Sequence, residues 1–339
     1  FMDWSKETVI VFGGGGFLGR KIVHQLQGMN CGKIKIFNRS PFPEIARTGV
    51  EALRGDIRNR RAVSEACEGC TAIIHTAAKA GVWGPWREYY GINVTGTENI
   101  LAACREHSIR SLVYTSSPSV AYPPTKNIEN ITENEPYPDF YLANYAATKA
   151  IAEKKSLGEP NKNLSVVALR PHLIWGPGDP HLLPRIVKRA AAGKLTIIGD
   201  GHNRVDMTYV DNAAWAHVKA LMYLHERTVA TRKVYFVSDD APVEIWQWLN
   251  SLLTRLSIPP VQRSIGYDKA YSLASILEMI FKVIPFGEPP LTRFVVGQLA
   301  FSHYFDISAI KKDLGYSPIV NSNEAFSRTV DWLKKSVFR

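Results

Sequence analysis

A run of four glycines near the start of the chain constrains the fold more than any other stretch. The run, at residues 13–16, directly follows residues 8–12, whose β-branched and aromatic side chains predict a buried strand. After the run, the apolar residues Ile22, Val23 and Leu26 recur at helical spacing. The sequence therefore predicts a strand, a tight glycine turn and a helix in immediate succession.

This succession is typical of a dinucleotide site, because the glycines let the backbone approach a pyrophosphate and the helix N-terminus presents free N–H groups to it. The glycines fit two spacings, Gly14-x-Gly16-x-x-Gly19 and Gly13-x-x-Gly16-x-x-Gly19. A turn that binds nothing is the plainer interpretation of such a match, but the flanking strand and helix favour the nucleotide. The residues expected to contact the cofactor here are Gly13, Gly16, Phe17, Leu18 and Gly19.

The second predicted strand, at residues 33–37, indicates which dinucleotide binds. Sites that prefer NAD usually have an acidic residue at the end of this strand, where it accepts hydrogen bonds from the ribose 2′-OH. This chain has Asn38 and Arg39 instead, and the guanidinium group of Arg39 can pair with a 2′-phosphate. We therefore expect NADP(H), with NAD(H) as the alternative if Arg39 is only a surface residue.

Two later strand ends supply further cofactor candidates. Asp56 can accept a hydrogen bond from the adenine amino group while Ile57 packs on the ring, although Asp56 could equally cap a helix starting near Arg60. A strand at residues 71–76 is followed by small side chains, which let the backbone lie against a cofactor. The residues expected there are Ala77, Ala78 and the adjacent Lys79.

Strands and helices alternate along the first half of the chain, with further strands at 111–115 and 165–169. This order predicts an α/β protein with a Rossmann-type, doubly wound parallel sheet and ligands at the carboxyl ends of the strands. We expect a dinucleotide-binding domain at 1–172 and a smaller, mainly C-terminal substrate-binding domain at 173–339. The elements of the second half are interleaved, so some of them return to the first domain.

The candidate catalytic residues are Ser117, Tyr145 and Lys149. Tyr145 and Lys149 are four residues apart in a predicted helix, so both lie on one face of it. An ammonium group beside a phenol lowers its pKa, which suits Tyr145 for proton transfer to a carbonyl oxygen, while Ser117 can position that oxygen. Tyr122 and Lys126 repeat the spacing by chance, because Pro123 disfavours helical geometry at Tyr122.

The composition narrows the choice of partners. The 339 residues carry a net charge of +10, which fits a solvated surface, a phosphate-bearing cofactor, an acidic or thioester substrate, or an anionic membrane. The chain has no basic helix or aromatic stripe typical of nucleic-acid binding, so we expect no nucleic-acid partner. The start of the chain has no long apolar run, which favours a cytoplasmic protein.

The cysteines and the most apolar stretch have simple interpretations. Cys67 and Cys70 form a CxxC pair without a second pair at zinc spacing, so we expect reduced thiols and no metal site. The apolar stretch at 273–286 is too short to span a bilayer. It could form a core helix, a lid over an apolar substrate, or an interfacial helix that contacts a membrane peripherally.

Taken together, these motifs resemble the extended short-chain dehydrogenase/reductases, and within them the 3β-hydroxysteroid dehydrogenase/isomerase branch. The resemblance covers nearly the whole chain and includes Arg170-Pro171 and the stretch Tyr209 to His217. It implies that Tyr145 is the general acid/base, that Lys149 contacts the nicotinamide ribose and the tyrosine, and that Ser117 contacts the substrate oxygen. Tyr145, Lys149 and Pro171 join the implied cofactor-binding set.

A narrower likeness is to the 2-alkyl-3-oxoalkanoate reductases of bacterial olefin synthesis, carried by stretches such as Ala77 to Gly81 and Leu173 to Asp179. It implies NADPH and a long apolar ketone substrate, with a carboxylate near the ketone that Lys79 could pair with. We also expect a homodimer. Phe12 and Trp175 depart from the family pattern, which has threonine and tyrosine there, and neither is in the catalytic set.

Three other interpretations stay open. An NAD(P)-dependent steroid or sterol 3β-ol dehydrogenase belongs to the same branch, and a nucleotide-sugar epimerase belongs to the same superfamily. The apolar 273–286 stretch disfavours the epimerase, because a sugar nucleotide needs polar partners. A non-catalytic, nucleotide-sensing protein that binds a membrane or partner is disfavoured by the intact catalytic set.

Overall fold

The computed structural model describes residues 3–180, 182–283 and 287–336. A seven-stranded parallel sheet forms the centre of the described chain. The strands are β1 (Thr8–Phe12), β2 (Lys33–Asn38), β3 (Glu51–Arg54), β4 (Ala72–His75), β5 (Ser111–Thr115), β6 (Ile128–Ile131), β7 (Ser165–Pro171), β8 (Ile174–Trp175), β9 (Ile197–Ile198), β10 (Arg204–Val205), β11 (Thr208–Tyr209), β12 (Arg232–Val237), β13 (Val243–Glu244), β14 (Ser264–Ile265) and β15 (His303–Phe305).

Some of the α-helices pack on the faces of this sheet, and others build a second, smaller part of the molecule with its own apolar clusters. The helices are α1 (Phe17–Gly28), α2 (Pro43–Ala46), α3 (Arg60–Cys67), α4 (Trp86–Tyr89), α5 (Gly96–Glu106), α6 (Asn144–Leu157), α7 (Leu182–Ala191), α8 (Val210–His225), α9 (Ile245–Arg255), α10 (Tyr267–Val283), α11 (Arg293–Ala300), α12 (Ser308–Leu314) and α13 (Ser322–Ser336). A π-helical segment, Tyr90–Thr95, joins α4 to α5. None of the described helices is both long and apolar enough to cross a bilayer.

The strand order in the main sheet is β12-β7-β5-β4-β1-β2-β3, so the glycine turn after β1 lies near the middle of the sheet. Every residue of β7 is buried, as are the last four residues of β1, because both faces of a parallel sheet are covered by helices. The predicted doubly wound parallel fold is therefore confirmed. Its strand order reverses between β1 and β4, which opens a crevice at their carboxyl ends.

Elements from the second half of the chain return to this sheet. Strand β12 pairs along the whole of its length with β7, and α8 packs against α1, where Lys21 forms an ion pair with Asp211 over 3.1 Å. A separate apolar core forms around Trp246, built mainly by α7, α9 and α13. Helices α10 and α11 pack together beside it and enclose a third, smaller apolar cluster.

The structure decides between the alternatives for a helix cap. At α8 the N-cap position is occupied by Tyr209, and Asp211 lies in the first turn, where its carboxylate faces Lys21. Asp56 does not cap α3, because the side chain of Asn59 accepts the hydrogen bond from the Ala62 N–H group. Asp56 is therefore left available to the crevice.

The CxxC pair lies inside the sheet-and-helix core. Cys67 is the last residue of α3, and both Cys67 and Cys70 are buried. Burial raises the pKa of the Cys67 thiol to about 12, so the group is neutral near neutral pH. Within the described chain, no group of three or more His, Cys, Asp or Glu side chains has the geometry of a metal site.

Candidate active site

The glycine turn is built from three glycines with separate steric roles. Gly13 has a φ of +85°, a conformation that residues with a Cβ rarely adopt. Gly16 occupies the N-cap position of α1, and a Cβ on Gly19 would lie 2.1 Å from the carbonyl oxygen of Gly13. The spacing Gly13-x-x-Gly16-x-x-Gly19 is therefore the one that brings the first turn of α1 against the end of β1.

A cavity of about 290 Å³ opens at this turn. Its walls include eleven of the predicted cofactor residues: Gly13, Gly16, Phe17, Leu18, Gly19, Asn38, Arg39, Asp56, Ile57, Ala77 and Ala78. The free N–H groups at the start of α1 and the guanidinium group of Arg39 suit an anionic ligand, and the apolar side chains suit an aromatic ring. The chemistry of this wall fits a dinucleotide.

Asn38 and Arg39 have different tasks in this wall. The side-chain oxygen of Asn38 accepts a hydrogen bond from the Gly15 N–H group over 3.0 Å, so it fixes the glycine turn. Arg39 is exposed at the rim of the cavity, and its carbonyl oxygen accepts a hydrogen bond from Arg54 over 3.1 Å. Of the two residues at the strand end, Arg39 is the one available to an incoming phosphate.

Other parts of the cavity wall escaped the sequence analysis, namely Phe37, Ser40, Phe42, Gly55, Thr76 and Ile92. The ring of Phe42 lies so close to Gly15 that a Cβ there would be 2.1 Å from it, and the guanidinium group of Arg20 lies 5.0 Å from the ring centre. No sequence pattern points to Phe42, because it follows the strand in an irregular loop. Ser40 could have been included as the hydroxyl next to Arg39.

Asp56 lines the same cavity as a charged group. Its carboxylate receives hydrogen bonds from the Arg58 side chain, the shortest being 2.6 Å, and these bonds lower the pKa of Asp56. A carboxylate that keeps its charge is a hydrogen-bond acceptor only. The structure therefore places a hydrogen-bond acceptor in the cavity wall, and its contact with the adenine amino group stays a prediction.

The catalytic candidates meet where β5 ends and α6 begins. Tyr145 lies in the first turn of α6, one helical turn before Lys149, and Ser117 lies two residues beyond β5. The hydroxyl of Ser117 lies near enough to Tyr145 to act on the pKa of the phenol, and it forms a hydrogen bond of 2.9 Å with the Ser119 hydroxyl. The structure thus brings together all three residues that the sequence predicted.

The electrostatics of Tyr145 differ from the prediction. We expected Lys149 to lower the pKa of the phenol, but burial raises the pKa of Tyr145 from its ordinary value, while the nearby Ser117 hydroxyl acts in the opposite direction. The reason is the direction of the Lys149 side chain, whose ammonium group donates to the carbonyl oxygen of Thr115 over 2.5 Å. Tyr145 therefore stays protonated near neutral pH, which suits a proton donor.

Lys149 is itself almost completely buried. Its ammonium group lies 4.2 Å from the centre of the Tyr114 ring, and burial lowers the pKa of Lys149 to about 7. The carboxylate of Glu153, one turn further along α6, acts against this by raising the pKa. The same carboxylate is paired with the buried guanidinium group of Arg170 over 2.6 Å.

Asn93 is a positioning residue that the sequence analysis missed. It lies in the π-helical segment, and its side chain accepts from the Lys79 N–H group over 2.7 Å and donates to the Thr148 hydroxyl over 3.0 Å. These bonds tie the loop after β4 to the residue next to Lys149. Irregular π-turns of this kind are frequent at functional sites, but they leave no clear mark in a single sequence.

Four predicted cofactor residues lie outside the cavity wall at the glycine turn, namely Lys79, Tyr145, Lys149 and Pro171. The ammonium group of Lys79 forms an ion pair with Glu88 over 2.9 Å and lies 5.2 Å from the centre of the Tyr89 ring. Lys79 therefore has a carboxylate partner within the chain. Pro171 is the last residue of β7, buried in the main sheet beside β12.

A second cavity, of about 540 Å³, lies between the loop after β4 and the helices of the second half of the chain. One wall is the loop at Gly81–Trp83, and the side chain of Asn144, next to Tyr145, donates to the Gly84 carbonyl oxygen over 2.9 Å. The remaining walls come from α7, α9, α10 and α11 and are mostly apolar, with leucine, isoleucine, valine and proline side chains. The loop that forms one wall of the apolar chamber is therefore joined to α6, the helix that carries Tyr145.

Comparisons with known proteins agree with this geometry. The model of the 3-beta hydroxysteroid dehydrogenase/isomerase family matches residues 10–265. The chain belongs to this family. It is 42% identical over 322 residues to a 2-alkyl-3-oxoalkanoate reductase of Stenotrophomonas maltophilia, covering 94% of this chain and 97% of that one. It is also 33% identical to a decarboxylating sterol-4-alpha-carboxylate 3-dehydrogenase of Mus musculus, covering 97% and 91% of the two chains.

A solved structure shows the same fold at lower identity. MoeE5 in complex with UDP-glucose and NAD superimposes with a TM-score of 0.75 at 22% identity, covering 97% of this chain and 99% of that one. The family and fold predicted from the sequence are therefore confirmed. As a member of this family, the chain is an NAD(P)-dependent oxidoreductase that acts on alcohol and carbonyl groups.

Proposed function

We propose that this protein is an NADPH-dependent reductase that converts the ketone of a 2-alkyl-3-oxoalkanoate into the corresponding 3-hydroxy acid. The observation that carries this proposal is the 540 Å³ apolar chamber, one wall of which is the loop Gly81–Trp83 that precedes Gly84, the residue hydrogen-bonded to Asn144 of α6. Its size is within the range of small-molecule sites, and its leucine, isoleucine and proline walls favour alkyl chains. The name of the Stenotrophomonas maltophilia relative supports the same substrate class.

The chemistry follows from the positions of the side chains. When bound, the dihydronicotinamide supplies the hydride that adds to the ketone carbon. Tyr145 donates its phenolic proton to the ketone oxygen, and the nearby Ser117 hydroxyl orients that oxygen. The new C–H and O–H bonds convert the ketone into a secondary alcohol.

The choice of NADPH rests on Arg39. The rim of the cavity carries this exposed guanidinium group at the end of β2, where NAD-preferring sites have a carboxylate. A 2′-phosphate at this position would therefore pair with the permanently charged guanidinium group of Arg39 and would not be repelled by a carboxylate. The neighbouring Ser40 hydroxyl adds a donor at the same rim.

A substrate screen tests the proposal. Synthetic 2-alkyl-3-oxo acids and 3-oxo steroids are each incubated with the protein and NADPH, and the loss of NADPH absorbance is followed with Tyr145→Phe as the inactive control. We expect turnover of the 2-alkyl-3-oxo acids and a higher kcat/KM for longer alkyl chains. Turnover of the steroids alone would contradict the assignment.

The second candidate function is a steroid or sterol 3β-ol dehydrogenase. The likeness to the mouse sterol-4-alpha-carboxylate 3-dehydrogenase favours it, and the apolar chamber admits a rigid ring system as well as flexible chains. Oxidation of 3β-hydroxysterols with NAD, in the absence of activity on 2-alkyl-3-oxo acids, would identify it.

A further inference from the structure

The outer face of α10 carries the largest group of exposed apolar side chains in the described chain. Its five members are Leu273, Ile276, Met279, Ile280 and Val283, with exposed fractions from 45% for Ile280 to 83% for Val283. The other large apolar side chains that are exposed, Trp86, Phe140, Val229 and Ile319, come from distant parts of the sequence. Such a patch marks an interaction surface, because isolated exposed apolar residues are common but contiguous ones are not.

The carboxylate in the middle of this helix is turned away from the patch. Glu278 is only 5% exposed, and its carboxylate pairs with Arg293 over 2.8 Å and accepts a hydrogen bond from the Arg293 N–H group over 2.7 Å. The patch is therefore free of the negative charge that the sequence places there. The remaining exposed charges on α10 are Asp268, Lys269 and Lys282.

Cations surround the mouth of the adjacent apolar chamber. Arg185, Arg189 and Lys194 line it, and Glu288 is the only acidic residue in its described wall. Glu288 and Arg185 form a long ion pair of 3.5 Å, with both side chains more than half exposed. On α10 itself, Lys269 and Lys282 are exposed along with the apolar residues. An apolar helix face accompanied by lysines is typical of a surface that binds anionic lipid headgroups.

We propose that the α10 face docks on an anionic lipid membrane, with Ile276, Met279 and Val283 in the acyl-chain boundary and the neighbouring cations on the headgroups. Two other occupants fit less well. If α10 were a lid, its exposed apolar residues would face the chamber. The α10 residues in the chamber wall are instead Ala270, Leu273 and Leu277, and of these only Leu273 belongs to the exposed patch. A second copy of the chain would bring like charges together around the patch.

The position of Leu273 gives the docking a consequence for substrate entry. Leu273 belongs both to the exposed face and to the wall of the chamber, so the membrane-facing surface is continuous with the cavity. An apolar substrate dissolved in the bilayer can then pass into the chamber without crossing water. This consequence rests on the proposed function, whereas the docking itself depends only on the surface.

Vesicle flotation without substrate or cofactor tests the docking. Vesicles of phosphatidylcholine alone are compared with vesicles in which phosphatidylglycerol makes up about a third of the lipid. We expect flotation with the anionic vesicles, release by high salt, and a loss of at least about fivefold in bound protein for Ile276→Gln/Met279→Gln. The matched control Val229→Gln/Ile319→Gln removes exposed apolar side chains elsewhere and is expected to float like the wild type.

A charge variant keeps the test independent of any effect on folding. Lys269→Gln/Lys282→Gln alters two exposed side chains and is expected to weaken flotation on anionic vesicles. The proposal is overturned if the wild type does not float, if the α10 variant floats as well as the wild type, or if the patch substitutions instead change the sedimentation coefficient of the lipid-free protein. The flotation assay contains no substrate, so a wrong substrate assignment does not change its result. The proposed activity is tested separately, by turnover of a short, water-soluble ketone without vesicles.

Discussion

The ammonium group of Lys149 donates to the main-chain carbonyl oxygen of Thr115 over 2.5 Å. Thr115 is the last residue of β5, and Ser117 follows it by two positions, so this bond ties the catalytic helix to the segment that carries the serine. Because Tyr145 and Lys149 share one face of α6, the bond also fixes the distance from the phenol to Ser117. Lys149 is therefore a structural link as well as a charge.

The first prediction concerns the cost of burying that charge. Below pH 7 Lys149 is protonated in both the folded and the unfolded chain, and the folded protein bears the full desolvation cost. Between its folded-state pKa of about 7 and the ordinary lysine pKa of 10.5, only the unfolded chain keeps the proton, so the free energy of unfolding rises with pH. The wild type should gain on the order of 5 kcal/mol relative to Lys149→Met across this window.

Urea denaturation of the cofactor-free protein at several pH values measures this gain. Lys154→Met, which removes an exposed lysine of the same helix, should show no comparable change with pH. A constant difference between the wild type and Lys149→Met from pH 7 to pH 10 would show that the ammonium group keeps its proton throughout.

The second prediction concerns proton donation. Tyr145→Phe removes the phenolic proton and should lower kcat by about 10²- to 10⁴-fold, because general acid catalysis contributes an effect of that size. The dissociation constant of NADPH, measured by fluorescence, should stay within about threefold, since Tyr145 does not line the cavity at the glycine turn. Tyr141→Phe is the matched control, because its hydroxyl donates to the Val120 carbonyl oxygen instead. Equal losses in both variants would mean that the phenols only support the packing.

The sequence alone was sufficient for the parallel sheet and most of the cofactor cavity. Buried strands such as β1 and β5 are short runs of apolar residues, and the glycine turn has a spacing dictated by backbone geometry. Ser117, Tyr145 and Lys149 were predicted because the strand ends and the helix periodicity placed them at one edge of the sheet. These features depend on local sequence.

The features that were missed depend on tertiary contacts. The side chain of Asn93 is 14 residues from Lys79 and 55 from Thr148, and only the folded chain shows that it joins them. The ammonium group of Lys149 could not be assigned to Thr115 from sequence, because that requires the direction of the side chain. In the same way, Glu278 interrupts an apolar stretch in the sequence. Only the folded chain shows that its carboxylate is buried in an ion pair with Arg293.

The third prediction concerns cofactor choice. Arg39→Ala should raise the KM for NADPH by at least about tenfold and change the KM for NADH by less than about twofold, because only NADPH carries the 2′-phosphate. Initial rates with each cofactor at saturating substrate provide the measurement. Arg47→Ala, an exposed arginine just after α2 that does not line the cavity, is the control. Equal changes for both cofactors would remove Arg39 as the determinant of specificity.

The fourth prediction compares two glycines of one helix. A Cβ on Gly19 would lie 2.1 Å from the Gly13 carbonyl oxygen and 2.7 Å from the Gly14 Cα, so Gly19→Ala must push α1 away from the glycine turn. We expect a loss of about 2 kcal/mol in the free energy of unfolding. We also expect a weaker affinity for the dinucleotide, since the N-terminus of α1 moves when the helix is displaced.

Gly28, the last residue of α1, is the matched control. It has no atom within 4 Å of its added Cβ, so Gly28→Ala should be neutral or slightly stabilising. Chemical denaturation and fluorescence titration with NADPH measure both quantities, and a Gly19→Ala protein that binds NADPH like the Gly28→Ala protein would show that the turn tolerates the displacement.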